Sequence, residues 1–221
     1  MNGFAIKICG IRDADALIAT ANAGATHVGF AFVRSSPRYV TPQKAKGVAG
    51  LAPASLVRVA LFADALDHEI EDVIKAIHPQ LLQLHGRENP ERVAFVRKRF
   101  GLPVMKAVAI ADAEDVRNGA RAFEGAADQL LFDAKAAPDG PTGGHGKPFD
   151  WALLSGLQLP IPWMLSGGLT VSNVAEAVRV SGARGVDVSS GVESSRGIKD
   201  TKLISDFVAA AKAAFAESQA A

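Results

Sequence analysis

The sequence predicts a (β/α)8 barrel, a TIM barrel of the α/β class. Three observations carry the expectation. Eight short apolar runs alternate with eight helix-forming segments across 221 residues. No Gly-x-Gly-x-x-Gly follows the first run. The paired serine and glycine turns fall after runs seven and eight. Parallel strands need crossover helices, and eight such units close a barrel whose phosphate sites lie beside the last two strands. A doubly wound open sheet, the competing arrangement, would carry its glycine fingerprint after the first strand.

The first strand, Phe4 to Ile8, delivers Cys9 to a turn at Gly10, and the alanine-rich helix Asp13 to Ala23 stops at Gly24, a residue suited to a helix C-terminus. His27 to Val33 is the second strand, and a polar loop leads from it to a helix opened by Thr41-Pro42, an N-cap followed by proline. Leu56 to Phe62 is the third strand; Asp67 is expected to cap a helix through Ile77, because Ile70, Val73, Ile74 and Ile77 recur at helical spacing. Gln80 to Leu84 is the fourth strand, running into His85-Gly86, with a basic helix from Pro90 to Arg99. Pro103 to Ile110 is the fifth, with a helix from Ala113 to Ala122.

Gln129 to Asp133 is the sixth strand, followed by the longest irregular stretch, Ala134 to Lys147, which contains Gly143-Gly144-His145-Gly146. Loops of that length usually bind or move. A short helix is expected over Phe149 to Leu157, then the seventh strand, Ile161 to Leu165, into Ser166-Gly167-Gly168-Leu169, and a helix from Ser172 to Val180. Gly185 to Val188 is the eighth strand, ending in Ser189-Ser190-Gly191-Val192-Glu193. Thr201 to Ala216 forms a closing helix with Leu203, Ile204, Phe207 and Val208 on one face.

Charge is nearly balanced, 24 Lys plus Arg against 23 Asp plus Glu, so no nucleic acid or other polyanion is expected as a partner. One cysteine excludes an internal disulfide framework. No apolar signal segment follows Met1, and the most apolar long window, residues 47–66, contains Pro53, Arg58 and Asp64, so no membrane span is expected. The expectation is a cytoplasmic protein whose residues 1–221 form one domain. The helix surfaces show no surplus apolar stripe, which leaves monomer and homodimer both open.

Barrel active sites lie at the C-terminal strand ends. The polar residues there are Cys9, the loop Ser35 to Arg38, Gln83, His85, Asp133, Ser166 to Gly168 and Asp187 to Gly191. A lone cysteine is more often a small buried hydrophobe than a reactive group. Ser166, Gly167, Gly168, Ser189, Ser190 and Gly191 are candidates to grip a phosphate, because glycine lets backbone N–H groups approach an anion closely. The bland alternative is two ordinary tight turns. Gln83, His85 and Asp187 are candidate substrate contacts by position. Residues two apart on a strand share a face, so Lys7 points inward with Cys9, and Asp187 shares its face with Ser189. A buried lysine needs a counter-charge, so Lys7 and Asp187 are expected to meet inside the barrel.

Two rival readings share this fold. A metal-dependent sugar-phosphate epimerase needs histidines converging at strand ends, but of His27, His68, His78, His85 and His145 only His85 and the loop residue His145 are candidates. No metal and no cofactor is expected. A catalytically silent phosphate-binding barrel is the other reading, and Cys9 and Asp133 on separate strand ends argue against it.

Lys7-Ile8-Cys9-Gly10, Ser36-Pro37-Arg38-Tyr39-Val40, Gln83-Leu84-His85-Gly86, Phe132-Asp133, Phe149-Asp150-Trp151, Ser166-Gly167-Gly168-Leu169 and Gly185 to Glu193 occur in that order at successive strand ends. Together they resemble the phosphoribosylanthranilate isomerase family of tryptophan biosynthesis. Ala134 stands where that family often has a small hydroxyl residue, and Ser166 where alanine is common. The resemblance implies a phosphorylated small-molecule substrate and an Amadori rearrangement of N-(5-phosphoribosyl)anthranilate. It implies Asp133 as general acid, Cys9 as general base and Arg38 as the partner of the anthranilate carboxylate.

Overall fold

The computed structural model describes residues 4–135 and 149–220. Eight parallel strands close into a barrel in chain order: β1 Ala5–Cys9, β2 His27–Ala31, β3 Val57–Phe62, β4 Leu81–Leu84, β5 Val104–Ile110, β6 Gln129–Ala134, β7 Trp163–Leu165 and β8 Gly185–Val188. β8 returns to β1 in parallel, with Lys7 opposite Asp187. Closure removes the sheet edges that would otherwise present unpaired backbone groups. Among the described residues seven α-helices flank the strands: α1 Ala14–Ala23, α2 Pro42–Ala49, α3 Asp67–Ile77, α4 Pro90–Phe100, α5 Ala113–Ala122, α6 Val174–Ser181 and α7 Thr201–Ala220.

Helix starts follow from local hydrogen-bond chemistry. The Ala16 N–H donates to Asp13 at 2.9 Å, the Arg92 N–H to Asn89 at 2.8 Å, and the Glu114 and Asp115 N–H groups to Asp112 at 2.8 and 2.9 Å. Each satisfies a donor that the first helical turn leaves free. Gly24, Gly101 and Gly182 end α1, α4 and α6 in the left-handed conformation. Asp67 proves to be the first helical residue rather than the cap. Leu66 holds the cap position, and its N–H donates to the Glu69 carboxylate, 3.0 Å away, which reaches back across the turn.

Two segments differ from the sequence reading. The sixth unit has a single 3-10 turn, Trp151–Leu154, instead of a helix over Phe149 to Leu157. Ser155 turns extended, with ψ 127°, and Gly156 takes a φ of +71°, so the chain leaves helical conformation before Leu157. The expected loop from Ala134 to Lys147 lies outside the described residues except at its start, where Ala134 completes β6. After β8 the chain makes a 3-10 turn, Ser190–Val192, and then an antiparallel hairpin, β9 Glu193–Ser195 and β10 Ile198–Lys199, turned at Gly197.

Strand alternation sorts side chains into two cores. Outward residues such as Ile8, Phe30, Phe62, Leu82 and Phe132 pack under the helices. Inward residues form a separate plug of Val59, Leu81, Met105, Ala107, Leu131 and Met164, with Ala5 and Val57 against it. Leu131 is fully buried in that plug, so truncation to alanine is worth about 2–5 kcal/mol. Above the plug the inward positions turn polar. β1 runs Ala5, Lys7, Cys9; β4 runs Leu81, Gln83 and on to His85; β6 places Asp133 above Leu131. The plug is the floor of the barrel mouth.

Candidate active site

The floor carries one balanced ion pair. Lys7 Nζ donates to Asp187 Oδ1 at 2.8 Å, with side-chain exposures of 0% and 5%. This is the contact expected from strand period and barrel closure. Ser166 Oγ donates to the other oxygen of Asp187 at 3.4 Å. Burial alone would lower the Lys7 pKa; the Asp187 charge and hydrogen bond and the neighbouring Cys9 outweigh it and raise the value. His27, opposite Lys7 on β2, is pushed down to about 4 by burial and by the Lys7 charge.

Cys9 stands one turn of the pleat above Lys7, buried beside Ala31 and Leu61. Its register partner is Gly29, where a Cβ would lie 3.0 Å from Cys9 Sγ and 3.3 Å from Lys7 Cε. The glycine therefore makes the space that the thiol and the lysine stem share. Burial pushes the thiol pKa up, while Lys7 and, more weakly, Lys199 pull it down; the net direction is upward.

Across the mouth, Asp133 faces a histidine relay. Gln83 Nε2 lies 3.0 Å from His85 Nδ1, and His85 Nε2 lies 3.1 Å from Asp133 Oδ2. Gln83 is fully buried, and its Oε1 has no hydrogen-bond partner among the described residues. Asp133 Oδ1 accepts from the Ala134 N–H at 2.9 Å. Gly167, at φ +87°, lies against this carboxylate; a Cβ there would sit 3.0 Å from Oδ1 and 2.5 Å from the Ala134 nitrogen. Only glycine accommodates both the positive φ and that approach.

The third group is a buried charge cluster. The loop after β2 folds back so that the Val40 N–H donates to the Ala31 carbonyl at 3.0 Å, which carries Arg38 over the mouth. Arg38 crosses the first turn at Gly10, where a Cβ would stand 2.6 Å from its Cδ. Its Nε and Nη2 donate to the two oxygens of Glu193 at 2.6 and 3.0 Å. Lys199, paired with Glu193 across the hairpin, donates to Glu193 Oε1 at 2.9 Å and to the Ser189 carbonyl at 2.7 Å. Glu193 is raised by burial but held below its ordinary value by Arg38, Lys199 and the Gly197 N–H. Burial lowers the Lys199 pKa, and Glu193 opposes the shift.

The expected phosphate turns adjoin this cluster. A Cβ at Gly191 would run into the Leu169 carbonyl, so the turns after β7 and β8 pack directly on each other. The N–H groups of Gly167, Gly168 and Ser190 make no hydrogen bond to another described residue. The serine hydroxyls are engaged within the protein: Ser166 on Asp187, and Ser189 on the Cys9 carbonyl at 3.1 Å. Sequence reasoning thus located the strand-end residues but missed Lys199 and gave Glu193 no role. Opposite charges on Glu193 and Lys199, register partners in the hairpin, were the available signal.

A family model described as N-(5'phosphoribosyl)anthranilate (PRA) isomerase matches residues 6–210. The N-(5'-phosphoribosyl)anthranilate isomerase of Rhodopseudomonas palustris is 51% identical over 209 residues, covering 94% of this chain and 95% of the relative. The crystal structure of phosphoribosyl anthranilate isomerase from Thermotoga maritima superposes with a TM-score of 0.84 at 33% identity, over 95% of this chain and 99% of that one. Another crystal structure of the enzyme, in complex with reduced 1-(o-carboxyphenylamino)-1-deoxyribulose 5-phosphate, gives 0.81 at 32% identity over the same shares. With the closed barrel, the strand-end thiol and carboxylate and this match along nearly the whole chain, the protein belongs to the phosphoribosylanthranilate isomerase family.

Proposed function

We propose that this chain converts N-(5-phosphoribosyl)anthranilate into 1-(2-carboxyphenylamino)-1-deoxyribulose 5-phosphate, with Asp133 as general acid and Cys9 as general base. The observation that carries the assignment of roles is the placement of a buried thiol and a carboxyl group at the same barrel mouth, on β1 and β6. The reaction is an isomerisation, so each proton given to the substrate is matched by one removed. Asp133 donates to the furanose ring oxygen; the C1–O bond breaks and the anilino nitrogen lone pair forms the iminium. Cys9 removes the C2 proton, the electron pair forms the enolamine, and tautomerisation gives the C2 ketone. Positioned proton transfers of this kind contribute about 100- to 10,000-fold each.

His85 supports the acid in either protonation state. With the Gln83 amide donating to Nδ1, the ring carries its proton on Nε2 and holds a carboxylate. With the amide turned over, Oε1 accepts from Nδ1–H, and Nε2 accepts from a carboxylic acid. Arg38 takes the anthranilate carboxylate, for which a guanidinium fork is suited. The unpaired N–H groups at Gly167, Gly168 and Ser190 take the phosphate. No metal or cofactor enters these steps. No helix among the described residues is long and apolar enough to cross a membrane, and we place the enzyme in the cytoplasm, as a monomer or homodimer.

The test follows the loss of phosphoribosylanthranilate fluorescence. Cys9→Ala and Asp133→Asn should each lower kcat by at least about 100-fold while still binding the reduced product analogue. Near-normal turnover by either variant overturns that residue's role. Turnover that survives chelation argues against the metal-dependent epimerase reading.

A further inference from the structure

Among the described residues, the cluster around Arg38 is one negative charge short. Arg38 gives one side of its guanidinium, Nε and Nη2, to Glu193. Its other end, Nη1 and the second Nη2 hydrogen, makes no hydrogen bond to a described residue and can accept a second carboxylate end-on. An arginine already neutralised by glutamate has little electrostatic reason to take another anion. Lys199 changes that balance. Its side chain is 1% exposed and donates to the same Glu193. Among the described residues, two cations and one carboxylate are thus buried together, and the adjacent Lys7–Asp187 pair is balanced within itself and supplies no anion.

We propose that Glu193 and Lys199 are positioning residues for substrate recognition. Glu193 fixes the side of the Arg38 fork, and Lys199 leaves the cluster with the net positive charge that the substrate's aryl carboxylate neutralises. The bound cluster would hold two cations and two carboxylates, the balance that buried charges require. The hairpin enforces the geometry, since Glu193 and Lys199 are register partners and the Gly197 N–H donates to Glu193 Oε2 at 3.0 Å. This inference rests on the reading that Arg38 meets the anthranilate carboxylate, and it adds the residues that make Arg38 selective.

The experiment compares two ligands by calorimetry: reduced 1-(2-carboxyphenylamino)-1-deoxyribulose 5-phosphate and its phenylamino counterpart without the carboxyl group. The unaltered protein should prefer the carboxylated ligand; if it does not, the reading of Arg38 fails, whatever Lys199 does. Lys199→Met should cut that preference by about tenfold or more and leave the carboxyl-free ligand bound as before, and Lys199→Arg should keep it. The double variant Glu193→Gln with Lys199→Met keeps an amide oxygen to accept from the Arg38 fork, restores a net charge of plus one through Arg38 and should recover most of the preference. If Lys199→Met does not fold, the double variant decides alone: preference kept supports the charge count, and preference lost overturns it. The proposal also fails if Lys199→Met weakens both ligands equally, as a structural defect would, or moves only the pH profile of Cys9 while the preference stands.

Discussion

Replacing Asp187 with alanine tests the electrostatics of the barrel floor. Lys7 is fully buried and its counter-charge lies at 2.8 Å; at an effective dielectric of about 20, that attraction is about 6 kcal/mol before desolvation is counted. Removing one partner of such a pair costs about 3–5 kcal/mol, because the remaining charge is buried without compensation. For a chain of this size each kcal/mol moves the melting temperature by about 2–4 °C, so a fall of about 6–20 °C is expected. The pH dependence distinguishes this cause from a simple packing loss. In the unaltered protein the Lys7 pKa is raised, so the stability from this pair is complete below the unfolded lysine value and is lost only as pH climbs through the folded one. In the variant, the largest opposing influence is gone, burial outweighs the remaining effect of Cys9, and the folded pKa drops below the unfolded value. The unfolded state then binds more protons, and stability recovers with rising pH by at most about 1.4 kcal/mol per unit. Urea unfolding from neutral pH to about pH 9.5 should show that slope in Asp187→Ala and not in the unaltered protein. Lys7→Met combined with Asp187→Leu should restore most of the stability, since an apolar pair replaces both charges. A loss under about 1 kcal/mol, a flat pH response, or a double variant as weak as the single one would refute the argument.

Three further outcomes follow from the same geometry. Gly29→Ala places a methyl 3.0 Å from Cys9 Sγ, and turnover should fall at least about tenfold with a stability loss of about 1–3 kcal/mol; unchanged kinetics would mean that the thiol's position does not matter. With Cys9 as the proposed base, the kcat/KM profile should rise with pH through its pKa, with a limb above the ordinary thiol range, because a thiol takes up a proton only as thiolate and burial raises its pKa; a limb below that range would contradict the proposed base. His27, held down at about 4, must be neutral in the fold, so stability should drop by about 3 kcal/mol as pH falls from the unfolded value near 6.5 through the folded one. Acid unfolding of His27→Gln should lack that component, and an identical acid profile would count against it.

The element order was legible because it rests on local signals. Period-two apolar runs, capping residues such as Asp13 and Asn89, and glycine stops at Gly24 and Gly101 each act over a few residues. The Lys7–Asp187 pair was also legible, since strand alternation sets which face each residue takes and barrel closure makes the first and last strands neighbours. The 3-10 turn at Trp151–Leu154 was not, because its end is set by the extended backbone of Ser155, a residue with no strong conformational preference of its own, followed by Gly156 at φ +71°.

The sequence by itself determined the barrel, the strand ends and the identity of the thiol, the carboxylate and the arginine that reach them. Tertiary structure decided what those groups touch. Arg38 meets Glu193 across 155 positions of chain, Ser189 bonds the Cys9 carbonyl across 180, and His85 meets Asp133 across 48. Periodicity sets the direction of a side chain within its own strand, but it carries no information about how far a loop folds back over the mouth. The Arg38–Glu193–Lys199 cluster exists because the loop after β2 and the hairpin after β8 converge there, and only the closed barrel brings those two segments together.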